Sequence, residues 1–136
     1  MSQHRLPIRV YYEDTDLAGL VYYANYLKFI ERGRSEWVRE MGIDQAALKA
    51  DTGGVFAVSR VVADYIKPAH YDDQLEVVST IAKMTPARVI FGQTVMRAGE
   101  RLFHADVTVV FLTATGRPQK LPQALLDAQD VAKHRA

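Results

Sequence analysis

Two carboxylates, Asp14 and Asp16, stand two residues apart in a stretch, Asp14 to Gly19, whose composition is that of a turn. Directly behind it, from Tyr22 to Met41, the apolar or small residues Tyr26, Ile30, Gly33, Trp37 and Met41 recur at spacings of four, three, four and four, which is one face of a helix. The first peptide N–H groups of such a helix, near Tyr22 and Tyr23, have no intrahelical acceptor. A carboxylate beside free N–H donors is equipment for cleaving an acyl bond. The carboxylate attacks the acyl carbon or activates water to do so, and the donors meet the oxyanion that forms. Asp16 and these amides are the candidate machinery. The ordinary duties of an aspartate ahead of a helix, N-cap or Asx turn, compete for Asp16 and describe Asp14 better.

Other chemistries find less support. The chain has no cysteine, so thiolate nucleophiles, disulfides and cysteine metal sites are absent together. His4, His70, His104 and His134 are scattered, and none joins a serine or aspartate in a nucleophile motif. There is no G-x-S-x-G elbow, P-loop or dinucleotide glycine motif. Asp14 and Asp16 lack a third ligand at metal spacing, so neither a metal nor a cofactor is expected.

The 136 residues, 49% apolar and 24% charged, fit a single domain spanning 1–136. Lys and Arg number 17 against 16 Asp and Glu, a net charge of +1 that gives no field to draw in nucleic acid. Arg5, Arg9, Glu13, Asp14 and Asp16 interrupt the first twenty residues, so no secretory signal is expected and the cytoplasm is the expected location. The densest apolar stretch, Val107 to Leu112 with Thr108 inside it, is far short of a membrane span. Peripheral association with a membrane stays open.

The elements that must position Asp16 are legible as periods. Ile8, Val10 and Tyr12 alternate in a strand over Leu6 to Glu13, and Gly42 stands where a left-handed helix cap would sit. Gly33 on the buried face implies close approach to a sheet. A short helix is expected at Asp44 to Ala50, then strands over Val55 to Lys67, Gln74 to Lys83, Arg88 to Arg97 and Leu102 to Leu112. Ala98-Gly99-Glu100 turns the last two into a hairpin, and Phe103, Ala105, Val107, Val109 and Phe111 share one face. The class is α+β, an antiparallel sheet wrapped over one helix.

The run Tyr12-Glu13-Asp14-Thr15-Asp16-Leu17-Ala18-Gly19-Leu20-Val21-Tyr22-Tyr23-Ala24-Asn25-Tyr26, with Phe29 and Glu31 behind it, resembles the signature of hotdog-fold acyl-CoA thioesterases of the 4-hydroxybenzoyl-CoA thioesterase type. Tyr65-Ile66-Lys67-Pro68-Ala69 and Asp72-Asp73 support the resemblance, which covers about residues 6 to 120 and is closest to the Tol-Pal-associated branch. It implies a five-stranded antiparallel sheet around one long central helix, active sites formed between paired subunits, and hydrolysis of a small acyl-CoA or aryl-CoA. It further implies Asp16 as the catalytic carboxylate and the Tyr23 N–H as the group polarising the thioester carbonyl. Val21 and Tyr22 belong to the same motif and are expected at the substrate, and Asn25 and Glu31 match polar positions of the pattern. Either of the last two also reads as helix surface or local capping.

At Tyr23 the Tol-Pal branch commonly holds histidine. Tyrosine keeps the backbone donor, removes a histidine-assisted proton transfer, and brings the site nearer the aryl-thioesterase pattern. Coenzyme A carries phosphates, for which Arg60, Lys67 and Arg88 are candidate contacts, each equally at home as a solvated strand charge. Two other readings compete. A hotdog dehydratase would place a histidine at the start of the site, and none lies between Arg5 and Pro68. A non-catalytic acyl-CoA-binding protein would need an effector domain, for which 136 residues leave no room. An open sheet edge predicts a homo-oligomer, with dimers continuing one sheet across the interface. The resemblance adds a dimer of dimers.

Overall fold

The computed structural model describes residues 3–128. Tyr26, Phe29, Ile30, Gly33, Trp37 and Val38 form the buried stripe of α1 (Asn25–Glu40), as the helical spacing requires, while Met41 is only half-buried at the C-cap. Gly42 takes φ 88, and the N–H of Ile43 closes back on the Val38 carbonyl at 3.2 Å. That left-handed residue ends α1 and turns the chain into α2 (Gln45–Thr52), whose N-cap Asp44 accepts the Ala47 N–H at 3.0 Å.

Around α1 wrap β1 (Gln3–Arg9), β2 (Val55–Tyr65), β3 (Gln74–Thr85), β4 (Arg88–Arg97), β5 (Glu100–Leu112) and the short β6 (Pro118–Gln119). The sheet is antiparallel in the order β1-β3-β4-β5-β2, with β6 on β5. Alternation on β5 points Phe103, Ala105, Val107, Val109 and Phe111 into the core. A methyl group on Gly33 would meet Val77 Cγ1 at 2.7 Å, so its absence lets the helix lie directly on β3. Beneath it, fully buried Gln93 donates to the Ile30 carbonyl and to Ser79 Oγ, both at 2.8 Å, and accepts from Arg34 Nη1 at 3.0 Å. These bonds hold α1 in fixed register on β3 and β4, which in turn fixes where its N-terminus points.

Several elements differ from the sequence reading, most by two or three residues at an end: β1 begins at Gln3, α2 runs to Thr52, β3 to Thr85, and β5 begins at Glu100. β1 stops at Arg9 because the Asp14 carboxylate accepts the Tyr11 N–H at 2.9 Å and the Asp14 N–H returns to the Tyr11 carbonyl. That closes a one-turn 3-10 helix over Tyr12–Asp14 where the strand was expected to continue. Helix α1 starts at Asn25 rather than Tyr22, whose own N–H goes to the Asp14 carbonyl at 2.9 Å. Strand β2 stops at Tyr65, where the Ile66 and Lys67 N–H groups both turn to the Leu102 carbonyl. The sheet gains β6, two residues long, as a sixth strand. Among the described residues, no helix is long and apolar enough to cross a membrane.

Candidate active site

The loop between β1 and α1 is held from both sides. The Asp14 carbonyl accepts the Tyr22 N–H and the buried Asn25 Nδ2, each at 2.9 Å, tying the loop to the helix start. On the far side Val21 donates to the Ala69 carbonyl, Tyr71 donates to the Gly19 carbonyl, and the Ala69 N–H donates to Tyr26 Oη at 3.0 Å. Segment 69–71 is thus clamped between the loop and the helix. Gly19 at φ 79 makes the tight reversal that none but glycine enters without strain.

Within this frame Asp16 makes an Asx turn. Its Oδ1 accepts the N–H groups of Ala18 at 2.9 Å and Leu20 at 3.2 Å. One carboxylate oxygen is pinned, and the other has no hydrogen-bond donor among the described residues. The turn duty and the chemical duty weighed for Asp16 are compatible, because the turn uses one oxygen and leaves the second free.

Asp16, Leu20, Val21, Tyr22, Tyr23, Tyr26, Tyr65, Ile66, Lys67 and Pro68 line a concavity of ≈ 350 Å³. The Tyr23 N–H, at the turn leading into α1, meets no protein acceptor among the described residues, and the same holds for the Ala24 N–H. Both lie at the positive end of a 16-residue helix. Burial pushes the Tyr26 phenol above its usual range, and burial with the neighbouring Tyr23 and Tyr26 does the same for Tyr65, so both rings stay protonated donors at neutral pH.

The concavity therefore gathers Asp16, Val21, Tyr22, Tyr23 and Lys67 from the sequence-derived residues. Asn25 is buried against Asp14 and acts as a brace rather than a lining residue. Glu31 accepts from Ser35 and lines a second cavity of ≈ 210 Å³ with Arg34, Phe56 and Phe91. Arg60 and Arg88 pair in register with Thr108 and Val110, on the outer face of the sheet, away from α1. Of the three candidate phosphate contacts, Lys67 alone stands at the concavity of its own chain. Tyr26 and Tyr65 were not singled out as site residues, although Tyr65 opens the second quoted motif.

Lys67 belongs to a charged cluster behind the wall of the concavity. It pairs with Glu100 at 2.6 Å, and Arg97 bridges Glu100 at 2.9 Å to Asp73 at 2.8 Å. Asp73 also caps the His70 N–H, fixing segment 69–71. Partial burial alone would raise the Asp73 carboxyl, but the His70 N–H and the Arg97 guanidinium outweigh it and hold it below the usual 3.8. Lys67, then Arg97, holds Glu100 below 4.5.

Carboxyls depressed in the fold stabilise it fully above their unfolded values and lose that stabilisation as pH falls through the folded ones. Unfolding free energy is therefore expected to drop on acidification below about 4.5. In Arg97→Met, which removes a partner of both carboxylates, that drop becomes shallower. Thermal unfolding followed by circular dichroism across this range checks it, and coincident slopes would remove the cluster from the account.

The model of the thioesterase-like superfamily matches residues 10–129 of the chain. The chain belongs to this family. The acyl-CoA thioester hydrolase YbgC of Escherichia coli is 38% identical to this thioesterase over 124 residues, 90% of this chain and 92% of that one. The acyl-CoA thioesterase YbgC of Haemophilus influenzae is 40% identical over 103 residues, 76% of each. Among solved structures, a probable thioesterase from Bartonella henselae superposes with a TM-score of 0.85 at 32% identity, covering 89% of this chain and 100% of that one. The 4-hydroxybenzoyl-CoA thioesterase of a Pseudomonas species superposes with a TM-score of 0.87 at 20% identity, over 93% and 99%, and so shares the hotdog fold.

Proposed function

We propose that this thioesterase cleaves a small acyl-CoA or aryl-CoA to free acid and coenzyme A, with Asp16 as base or nucleophile and the Tyr23 N–H as oxyanion donor. Family membership and the YbgC relatives make the protein an acyl-CoA thioester hydrolase. The observation that carries the assignment of roles is the shared concavity: a carboxylate with one oxygen anchored and one free faces the same space as a helix-end N–H without an acceptor. As base, Asp16 takes a proton from water while the water oxygen bonds to the acyl carbon. The carbonyl electrons move to an oxyanion held by the Tyr23 N–H, and the C–S bond then breaks to release the thiolate, which is reprotonated. As nucleophile, Asp16 displaces the thiolate to form an anhydride that water then opens. An acyl-coenzyme A substrate is met inside the cell, so this reading carries a cytoplasmic location with it.

The same reading includes a dimer paired through β2. The other outer strand, β1, carries Arg5, Pro7 and Arg9 facing solvent, a pattern that blunts edge pairing. The free edge of β2 instead exposes Val58, Val61, Val62 and Tyr65, each by 40–49%. A two-fold axis near the middle of β2 would set the Asp16 concavity of one copy against the Glu31 side of the other. Glu31, remote from Asp16 in its own chain, would then contribute from the partner.

Release of free thiol and free acid in equal amounts from a panel of aliphatic and aryl coenzyme A thioesters tests the reaction. Binding without release would favour the acyl-CoA-binding alternative. In the same assay Tyr23→Phe is expected to keep most activity, since the donor is the peptide N–H and Tyr23 is 63% exposed. A loss approaching that of an Asp16 variant would make the phenol an acid and overturn the backbone assignment.

A further inference from the structure

We infer that the Tyr65 hydroxyl is a positioning residue for the oxyanion site, holding the Tyr23–Ala24 peptide so that the Ala24 N–H serves as a second donor beside that of Tyr23. This rests on the reading of the Asp16 concavity as the catalytic site and goes beyond it in naming a second donor and its support.

Two consecutive peptides enter α1 with their carbonyls satisfied and their N–H groups free. The Tyr22 carbonyl accepts the Asn25 N–H at 2.8 Å, leaving the Tyr23 N–H of that peptide without an acceptor among the described residues. The Tyr23 carbonyl accepts Tyr65 Oη–H at 2.8 Å, leaving the Ala24 N–H of the next peptide equally free. The first carbonyl is held by the helix's own turn. The second is held by a side chain from β2, 42 residues away in sequence.

A hydrogen bond accepted at a peptide carbonyl polarises the N–H across the same amide, so Tyr65 both orients the Ala24 donor and strengthens it. Ala24, the N-cap of α1, has helical angles, φ −70 and ψ −21, so its free N–H belongs to the positive end of that helix, next along the chain from Tyr23, which lines the concavity. Packing fixes the ring that carries the hydroxyl. Its centroid lies 5.0 Å from Phe103 and 5.5 Å from Tyr26, both edge-on, and 6.2 Å from Tyr23. Preorganisation of this kind polarises the bound carbonyl weakly and counts most where charge develops, so its loss appears chiefly in the chemical step.

Tyr65→Phe removes the hydroxyl and keeps the ring contacts. Its kcat for thiol release is expected to fall roughly ten-fold, the worth of one positioning hydrogen bond, with KM and melting temperature unchanged. The second readout is the infrared stretch of the thioester carbonyl bound to Asp16→Asn, whose downshift on binding should shrink when Tyr65→Phe is added. Wild-type kcat in Tyr65→Phe beside a slow Asp16→Asn overturns this inference and leaves the site intact. Wild-type kcat in both variants overturns the site and the inference together. A loss confined to KM, or an unshifted carbonyl stretch, reduces Tyr65 to a packing residue.

Discussion

Asp16→Asn is expected to fold and to bind acyl-CoA as the wild type does, and to turn it over on the order of 10²–10⁴ more slowly, the range for removing a positioned acid–base group. The substitution is close to isosteric. Asparagine can keep an oxygen on the Ala18 and Leu20 N–H groups, so the Asx turn and the loop it shapes survive. What is lost is the second oxygen, which can no longer take a proton or attack. Steady-state thiol release gives the rate, and titration with a slow substrate gives the affinity. A rate within a few-fold of wild type would remove Asp16 from the chemistry, and a collapse in affinity or melting temperature would make it a loop residue only.

The second large effect is expected at the free edge of β2. Val62, 48% exposed in the single chain, pairs in register with Asp106 on the outer face of the sheet, so Val62→Asp leaves the core face of β2 untouched. Across a two-fold β2 pairing centred near Val62, the new charge of one copy would face that of the other. Like-charge juxtaposition at an interface costs several kcal/mol, enough to weaken the dimer by roughly 10²–10³. Light scattering should move toward the 15.3 kDa of one chain, and thiol release should fall with it because the concavity loses its partner wall. A variant that stays paired, or a monomer with full activity, contradicts the shared site.

Much of this could be read in the sequence, and the failures have physical causes. The stripe Tyr26, Ile30, Gly33, Trp37 is set by a single helix against a single sheet, so its period survives folding. The Asp14-Thr15-Asp16 loop could be placed, but its internal bonds could not, because local side-chain acceptors compete with the strand and helix on either side. That competition moved the end of β1 and the start of α1. The face that Arg60 takes was not legible. Counted by alternation it shares the inner face of Phe56 and Val58, but the irregularity between Val58 and Arg60 turns it outward. The sequence of β2 hides the slip because valines occupy both faces. The Gln93, Ser79 and Arg34 network escaped because periodicity counts apolar residues and is blind to a buried polar group that has found its partners. Tyr65 escaped for a related reason, since its acceptor is a backbone carbonyl brought close by the fold alone.

The most direct measurement of the central claim is the crystal structure of Asp16→Asn with an unhydrolysed acyl-CoA. The account predicts the thioester oxygen about 2.7–3.1 Å from the Tyr23 amide nitrogen and the residue 16 side chain about 3–3.5 Å from the acyl carbon or from one intervening water. A thioester carbonyl bound away from both, such as in the Glu31 and Arg34 cavity of the same chain, would contradict it.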